Sequence, residues 1–305
     1  MRVLFIFLDG VGLGAGDPET NPLASVEMPN LQGLLGGNKL LASTAPFDGE
    51  RASLLALDAG LGVDGLPQSA TGQAVLLTGK NVPLEIGEHY GPKPNPAVAR
   101  ILLNGNLFIE LTKAGRKSAL LNAYPPRYFE GVDSGKRLYS AIPLAVTSAG
   151  IPLFTKDDLF AGQALSADFT GAGWKGMLGF PDVPTFSARQ AGVKLAKLAA
   201  HYDFSLFEYW ASDYAGHKQD MPWAIDQFEI FDGVLGGLLD NWNDNEGLIL
   251  ISSDHGNMED LSTRRHTNAK VPALLFGSTK ARAAFSSGLV DLTGIYGGIV
   301  RTISP

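Results

Sequence analysis

The sequence predicts an α/β fold: a mostly parallel sheet with helices on both faces. Three observations point there. Strand-length apolar runs are unbroken rather than alternating, helical periodicity fills the stretches between them, and several acids stand just beyond strand ends. The first run is Val3 to Leu8 (VLFIFL), a strand apolar on both sides and therefore covered on both. After a Pro-containing loop, Met28 to Leu35 reads as a short helix. A second helix starts near Ser69 and runs through Gln73 to Leu77. Residues 187–200 (SARQAGVKLAKLAA) have helical spacing, and Phe204 to Trp210 follows as a strand. In Pro222 to Leu239, Phe228, Phe231, Val234, Leu235 and Leu238 recur on one helical face, which packs inward. Leu248 to Ile251 and Ala273 to Phe276 supply further buried strands.

Between these flanks the rhythm breaks. From about Ile86 to Pro184 the chain is punctuated by GPKPNP at 91–96, YPPRYFEG at 124–131 and TGAGWKGMLGFP at 170–181. The expected organisation is a discontinuous main domain, residues 1–88 and 185–305, with residues 89–184 inserted as a smaller α+β cap. Inside the cap, Pro96 to Leu111 reads as a helix and Lys117 to Leu121 as a strand.

Composition narrows the function. With 305 residues, 45% hydrophobic and 18% charged, the chain can bury a sizeable core. Its 31 acids against 24 bases leave a charge of −7, and no run of Lys or Arg offers a surface for nucleic acid. There are no cysteines, which excludes disulfides, thiolate metal sites and a cysteine nucleophile. The VLFIFL run ends in Asp9-Gly10 and is shorter than a secretory core segment, and no apolar stretch approaches the roughly 20 residues of a membrane helix. A cytoplasmic protein with no membrane partner is expected. Its oligomeric state is not written in the sequence.

The chemistry gathers at strand ends. Asp9 follows VLFIFL, Asp213 follows FSLFEYWAS and Asp254 follows LILISS. Ligands in open α/β sheets collect beyond the carboxyl ends of strands, so three acids distant in sequence can converge. Asp213 brings His217 in DYAGH, Asp254 brings His255 in DHGN, and His266 precedes the last strand. Any one of these alone reads equally well as a turn, a cap or a satisfied core residue. Together they predict a site for two divalent cations, because mixed carboxylate and imidazole donors suit zinc, manganese or ferrous iron better than calcium. Mn²⁺ or Zn²⁺ is the leading expectation, with Mg²⁺ also admitted. Ser69 precedes an apolar helical run, where free N–H groups and the helix dipole favour an anion, and its hydroxyl is a candidate nucleophile beside a metal. Thr71 competes for the same role. The run Gly10-Val11-Gly12-Leu13-Gly14-Ala15 fits a dinucleotide fingerprint, but Asp17-Pro18 and Asn21-Pro22 follow where a helix should open, so no nucleotide cofactor is expected. His89, in the Gly-rich entry to the cap, is placed to face the cleft.

FLDGVG at 7–12, SATGQ at 69–73, DYAGHKQD at 213–220, SDHGN at 253–257 and HTNAKVP at 266–272 occur in that order. They resemble the metal and nucleophile motifs of the alkaline phosphatase superfamily, in the branch of cofactor-independent phosphoglycerate mutase and phosphopentomutase. The resemblance covers both flanks and implies an alkaline-phosphatase-like fold. It implies one metal on Asp213, His217 and His266, and a second on Asp9, Asp254, His255 and the nucleophilic hydroxyl, with Ser69 preferred over Thr71. It also implies an inserted cap between the nucleophile segment and DYAGH. Two departures stand out: Gln73 replaces the histidine of the relatives, and no Arg-Asp dipeptide of the mutase occurs.

The expected function is therefore a metal-dependent phosphohydrolase or phosphomutase that acts on a small phosphorylated metabolite through a phosphoserine. Alternatives are a phosphodiesterase or sulfatase of the same superfamily, or a metal-binding protein without catalysis; a sulfatase's C/S-x-P-x-R pattern is missing around Ser69. Among the basic residues of the middle segment (Lys93, Arg100, Arg127, Lys136, Arg137), Arg127 is the preferred substrate ligand, because Tyr124-Pro125-Pro126 stiffens its approach and guanidinium groups clasp oxyanions. Asn257 and Asn268 are candidate supports for the metal ligands.

Overall fold

A computed structural model describes residues 1–303. One seven-stranded sheet runs through it: β1 (Arg2–Leu8), β2 (Phe47–Asp48), β3 (Ala52–Leu57), β4 (Ser118–Leu120), β5 (Phe204–Tyr209), β6 (Gly247–Ser252) and β7 (Val271–Phe276), in the spatial order β2-β3-β7-β6-β1-β5-β4. Side chains alternate across a strand, and β1 shows why both faces are covered. Leu4, Ile6 and Leu8 enter one apolar layer, which includes the helices Ala188–Ala199 and Met221–Leu239. Val3, Phe5 and Phe7 enter the other, with the helices Ser69–Thr78, Pro96–Asn104, Ala141–Ser148 and Thr293–Ile303.

The α/β class and the two helical layers are those expected from the sequence, but the pairing is mixed. β4, β5, β1 and β6 are parallel, whereas β7 runs antiparallel to both β6 and β3, and β2 is antiparallel to β3. The register matters for function. Leu8 pairs with Tyr209 and Phe7 with Ser252, so the chains leaving β1, β5 and β6 emerge level along one edge of the sheet. Ser252 also pairs with Ala273, near the start of β7. The reversal of β7 thus delivers the segment before it, with His266, to that same edge. β3 ends there too, since Leu57 pairs with Val271, and its exit leads towards Ser69.

Residues 89–184 differ from an insertion set apart from the sheet. β4 pairs with β5 through Ser118 and Phe204, and Val98, Leu102, Phe108, Ile142 and Val146 belong to the same apolar layer as β1. Only Ala123, Leu159, Ala164, Trp174 and Val183 form a small cluster of their own. The single helix expected over Pro96 to Leu111 is two, Pro96–Asn104 and Leu107–Lys113, because Asn106 turns its side chain onto the N–H groups of Phe108 and Ile109 and caps the second. No helix among the described residues is long and apolar enough to cross a membrane.

Far from the site edge, Arg282 is buried yet fully bonded: its guanidinium donates to Asp48 at 2.7 Å, to the carbonyl oxygens of Gly49 and Glu50 at 2.9 Å each, to the carbonyl of Gly277 at 3.0 Å, and to Ser53. It therefore ties the β2–β3 turn to the helix Thr279–Ser286. Arg282→Met leaves those carbonyls without donors and is expected to cost about 2–4 kcal/mol of stability. The urea unfolding midpoint measures the loss.

Candidate metal centre

Six of the sequence-predicted residues meet at the sheet edge. Asp9 follows β1; Asp213 and His217 occupy successive turns of the helix Ala211–Lys218 after β5; Asp254 and His255 follow β6; His266 precedes β7. Two overlapping groups have donor atoms within 4.8 Å of one another, Asp213 with His217 and His266, and Asp9 with Asp213 and His255. Asp254 Oδ2 adds to the second group at 3.6 Å from His255 Nε2, where Asp9 Oδ1 stands at 3.5 Å. Asp213 belongs to both groups.

The three imidazoles are held alike. His217 Nδ1 lies 2.7 Å from the carbonyl oxygen of Arg264, His266 Nδ1 2.7 Å from that of Pro67, and His255 Nδ1 3.3 Å from that of Gly256. A carbonyl only accepts, so each Nδ1 carries a proton, and in the neutral ring each Nε2 then presents its lone pair. Those lone pairs face carboxylates, with His217 Nε2 at 3.3 Å from Asp213 Oδ2 and His266 Nε2 at 3.7 Å from Asp213 Oδ1. Lone pair against anion is an arrangement that wants a cation between them. Asp9 Oδ1 and Asp213 Oδ1 are likewise buried with no hydrogen-bond partner among the described residues. The donor set fits divalent metal ions.

Ser69 is the first residue of its helix, and Gln68 occupies the cap position. Its hydroxyl donates to His255 Nε2 at 3.0 Å. Thr71 is turned elsewhere: its hydroxyl donates to the carbonyl oxygens of Gln68 and Tyr90 and accepts from the Tyr90 N–H. Close approach requires glycine at two places. A Cβ on Gly72 would stand 2.8 Å from Asp254 Cβ, and one on Gly216 would stand 1.8 Å from Asn257 Oδ1. These two glycines let the Ser69 helix and the Asp213 helix press against the 254–257 segment.

Crowded carboxylates set the electrostatics. Burial, followed by the charge of Asp213, pushes Asp254 up to about 7. Burial and then the charges of Asp254, Asp213 and Glu208 hold Asp9 well above the ordinary carboxylate range. Burial also acts to raise Asp213, but when the facing rings are protonated the hydrogen bond from His217 and the charges of His255, His217 and His266 outweigh it and leave Asp213 lowered, and the same bond raises His217. Burial pushes His255 and His266 down, which favours their neutral, metal-binding form. A cation must therefore displace protons from raised carboxyls. Affinity for Mn²⁺ is expected to climb as the pH rises from about 6 to about 8, with proton release largest at the acid end. Calorimetric titrations in buffers of different ionisation heat measure both.

Asn257, a predicted support, is buried with its amide 3.3 Å from His217 Nδ1. Arg127 is exposed in the first turn of the helix Pro126–Asp133. His89 lies 3.2 Å from the carbonyl oxygen of Gly60. The glycines after β1 lead into loop, with no helix until Pro22, and Glu259 takes the Gly12 N–H at 2.9 Å, as well as that of Asn257. Glu208 went unread in the sequence. It is buried at the end of β5, accepts from Tyr124 Oη at 3.2 Å, and is pushed up to about 7 by burial despite that bond. An acid inside the apolar run FSLFEYW was its signal.

Residues 181–302 match the family described as Metalloenzyme superfamily. The chain is 29% identical over 135 residues to a 2,3-bisphosphoglycerate-independent phosphoglycerate mutase of Desulforudis audaxviator, a match over 38% of this chain and 26% of that one. It is 32% identical over 117 residues to the mutase of the same name from Ruegeria sp., over 36% of this chain and 23% of that one. The chain thus spans about a quarter of the length of the curated relatives it matches. In fold it is similar to the alkaline phosphatase of the Antarctic bacterium TAB5, with a TM-score of 0.55 at 11% identity, covering 99% of this chain and 97% of that one.

Proposed function

We propose, from the premise that this chain is a member of the alkaline phosphatase superfamily resembling cofactor-independent phosphoglycerate mutase, that it is a metal-dependent phosphohydrolase of small phosphate monoesters. The observation that carries the reading is the Ser69 hydroxyl, 3.0 Å from His255 Nε2 at the edge of the two overlapping donor groups. Asp213, His217 and His266 would hold one divalent ion, and Asp9, Asp254 and His255 the other, with the Asp213 carboxylate within reach of both. Such a pair, when bound, neutralises the phosphoryl oxygens and lowers the pKa of a nearby hydroxyl.

The chain's own groups then have defined tasks. Ser69 Oγ gives its proton to water and attacks phosphorus; its P–O bond forms as the ester P–O bond breaks, and the departing alkoxide takes a proton back from the solvent. A second water attacks the phosphoserine, releases phosphate and restores Ser69. The Thr71 N–H is taken by the Tyr90 carbonyl oxygen at 3.0 Å, which leaves the N–H groups of Ser69 and Ala70, with the helix dipole, to meet the charge that builds on the transferring group. The backbone carbonyls of Arg264, Pro67 and Gly256 keep the three imidazoles from rotating. Water enters on the side of His217, whose side chain is 43% exposed. That opening favours hydrolysis over return of the phosphoryl group to a second substrate hydroxyl. A net charge of −7 leaves the surface unsuited to nucleic acid, so a small ester in solution is the substrate class.

The test is a panel of sugar phosphates, glycerate phosphates and simple monoesters with Mn²⁺, Zn²⁺ or Mg²⁺, read as inorganic phosphate released. Release from one or more monoesters is expected. An isomerised product without free phosphate would make the protein a mutase instead, and no turnover of any member with any ion would overturn the reading.

A further inference from the structure

Two exposed aromatic rings border the metal ligands. In a helix, residues three and four apart are surface neighbours. Trp210 is therefore adjacent to Asp213 and to Tyr214, and Tyr214 is adjacent to His217 as well. The helix Ala211–Lys218, entered directly from Trp210, thus presents one continuous patch made of two ligand side chains and two rings. Trp210 is 49% and Tyr214 50% exposed, in a chain whose other large aromatics mostly sit in the two cores. Tyr214 is braced rather than loose: Trp223 meets it edge to face at 5.5 Å, and Lys218 Nζ stands 5.3 Å from its centroid. Trp210 pairs with no other ring among the described residues. An indole left half in water beside a reaction centre lacks the packing reason that places such side chains elsewhere.

We infer that Trp210 and Tyr214 form the leaving-group subsite of this centre, and that the preferred substrates are monoesters whose alcohol carries a planar aromatic ring. The inference rests on the phosphohydrolase reading and names its substrate class. A ring attached to the ester oxygen stacks on Trp210 while the phosphoryl group reaches the ligand cluster one helical turn away. Tyr214 is already braced by Trp223 and an indole has only two side-chain torsions to fix, so little ordering is required when the substrate binds. Offset stacking of one ring pair corresponds to a preference of about three- to tenfold.

Benzyl phosphate and butyl phosphate distinguish the two claims, because both release a primary alkoxide and differ in the ring. With Mn²⁺-loaded protein, kcat/KM for the benzyl ester is expected to exceed that for the butyl ester by about three- to tenfold. Trp210→Ala and Tyr214→Leu are each expected to bring that ratio towards one, with Mn²⁺ content as the check that the centre still assembles. A ratio near one in the unaltered protein, or one that survives both substitutions, overturns the subsite. If neither ester turns over, the phosphohydrolase reading fails, and the subsite is still decided by binding. Benzylphosphonate is expected to quench tryptophan fluorescence at lower concentration than butylphosphonate, and Trp210→Ala to abolish the difference. Equal quenching by the two phosphonates would overturn it.

Discussion

Ser69→Ala is expected to abolish the phosphoenzyme and lower turnover by about a thousandfold or more, while Mn²⁺ content stays at the level of the unaltered protein. The substitution is mild for the fold. Ser69 is the first helical residue, the cap position is Gln68, and the lost bond is the one to His255 Nε2. Thr71→Ala is the informative contrast. Its hydroxyl fastens the Tyr90 segment to the helix through two bonds with the Tyr90 backbone, beside one to the Gln68 carbonyl, so its removal should cost about 1 kcal/mol of stability and leave the phosphoenzyme in place. Mass spectrometry of acid-quenched protein, with phosphate located on the peptide containing Ser69, reads both variants. A fully active Ser69→Ala protein would move the nucleophile to water.

Asp213→Asn is expected to remove cation binding from both donor groups, because its carboxylate is common to them, and to reduce activity at least about a thousandfold. His217→Ala touches one group only and should leave one ion behind. The two variants separate in thermal unfolding as well. An ion at about 100 times its dissociation constant stabilises the native state by about 2.7 kcal/mol. That gain is expected to vanish in Asp213→Asn and to persist in part in His217→Ala. Unchanged metal content in Asp213→Asn would contradict the shared-carboxylate geometry.

The candidate ligands on the parallel strands were legible because each stands where an apolar run stops, and level register in β1, β5 and β6 turns that local signal into proximity. His266 was legible as a residue but not as a neighbour. Its arrival depends on β7 running backwards, and a buried apolar strand carries no mark of direction. β3 was missed for a related reason: ASLLAL is short and built from Ala and Leu, which suit a helix as readily as a strand, and its long pairing, with β7, is distant in sequence. The middle segment misled through its punctuation. Asn95 and Asn106 are helix caps, and Gly115, Gly135, Gly150 and Gly171 are left-handed turn positions, so the Pro and Gly density reports many short helices rather than a separate body. Glu208 was hidden by the period-two logic itself, which treats one acid in an apolar strand as an exposed edge, whereas here it is buried beside Tyr124.

Anomalous diffraction from crystals grown with Mn²⁺ measures the central claim most directly. Two peaks per chain are expected, one among Asp213, His217 and His266 and the other among Asp9, Asp254 and His255 with Ser69 Oγ beside it. Peaks elsewhere on the surface, with these side chains still bonded only to one another at saturating Mn²⁺, would contradict it.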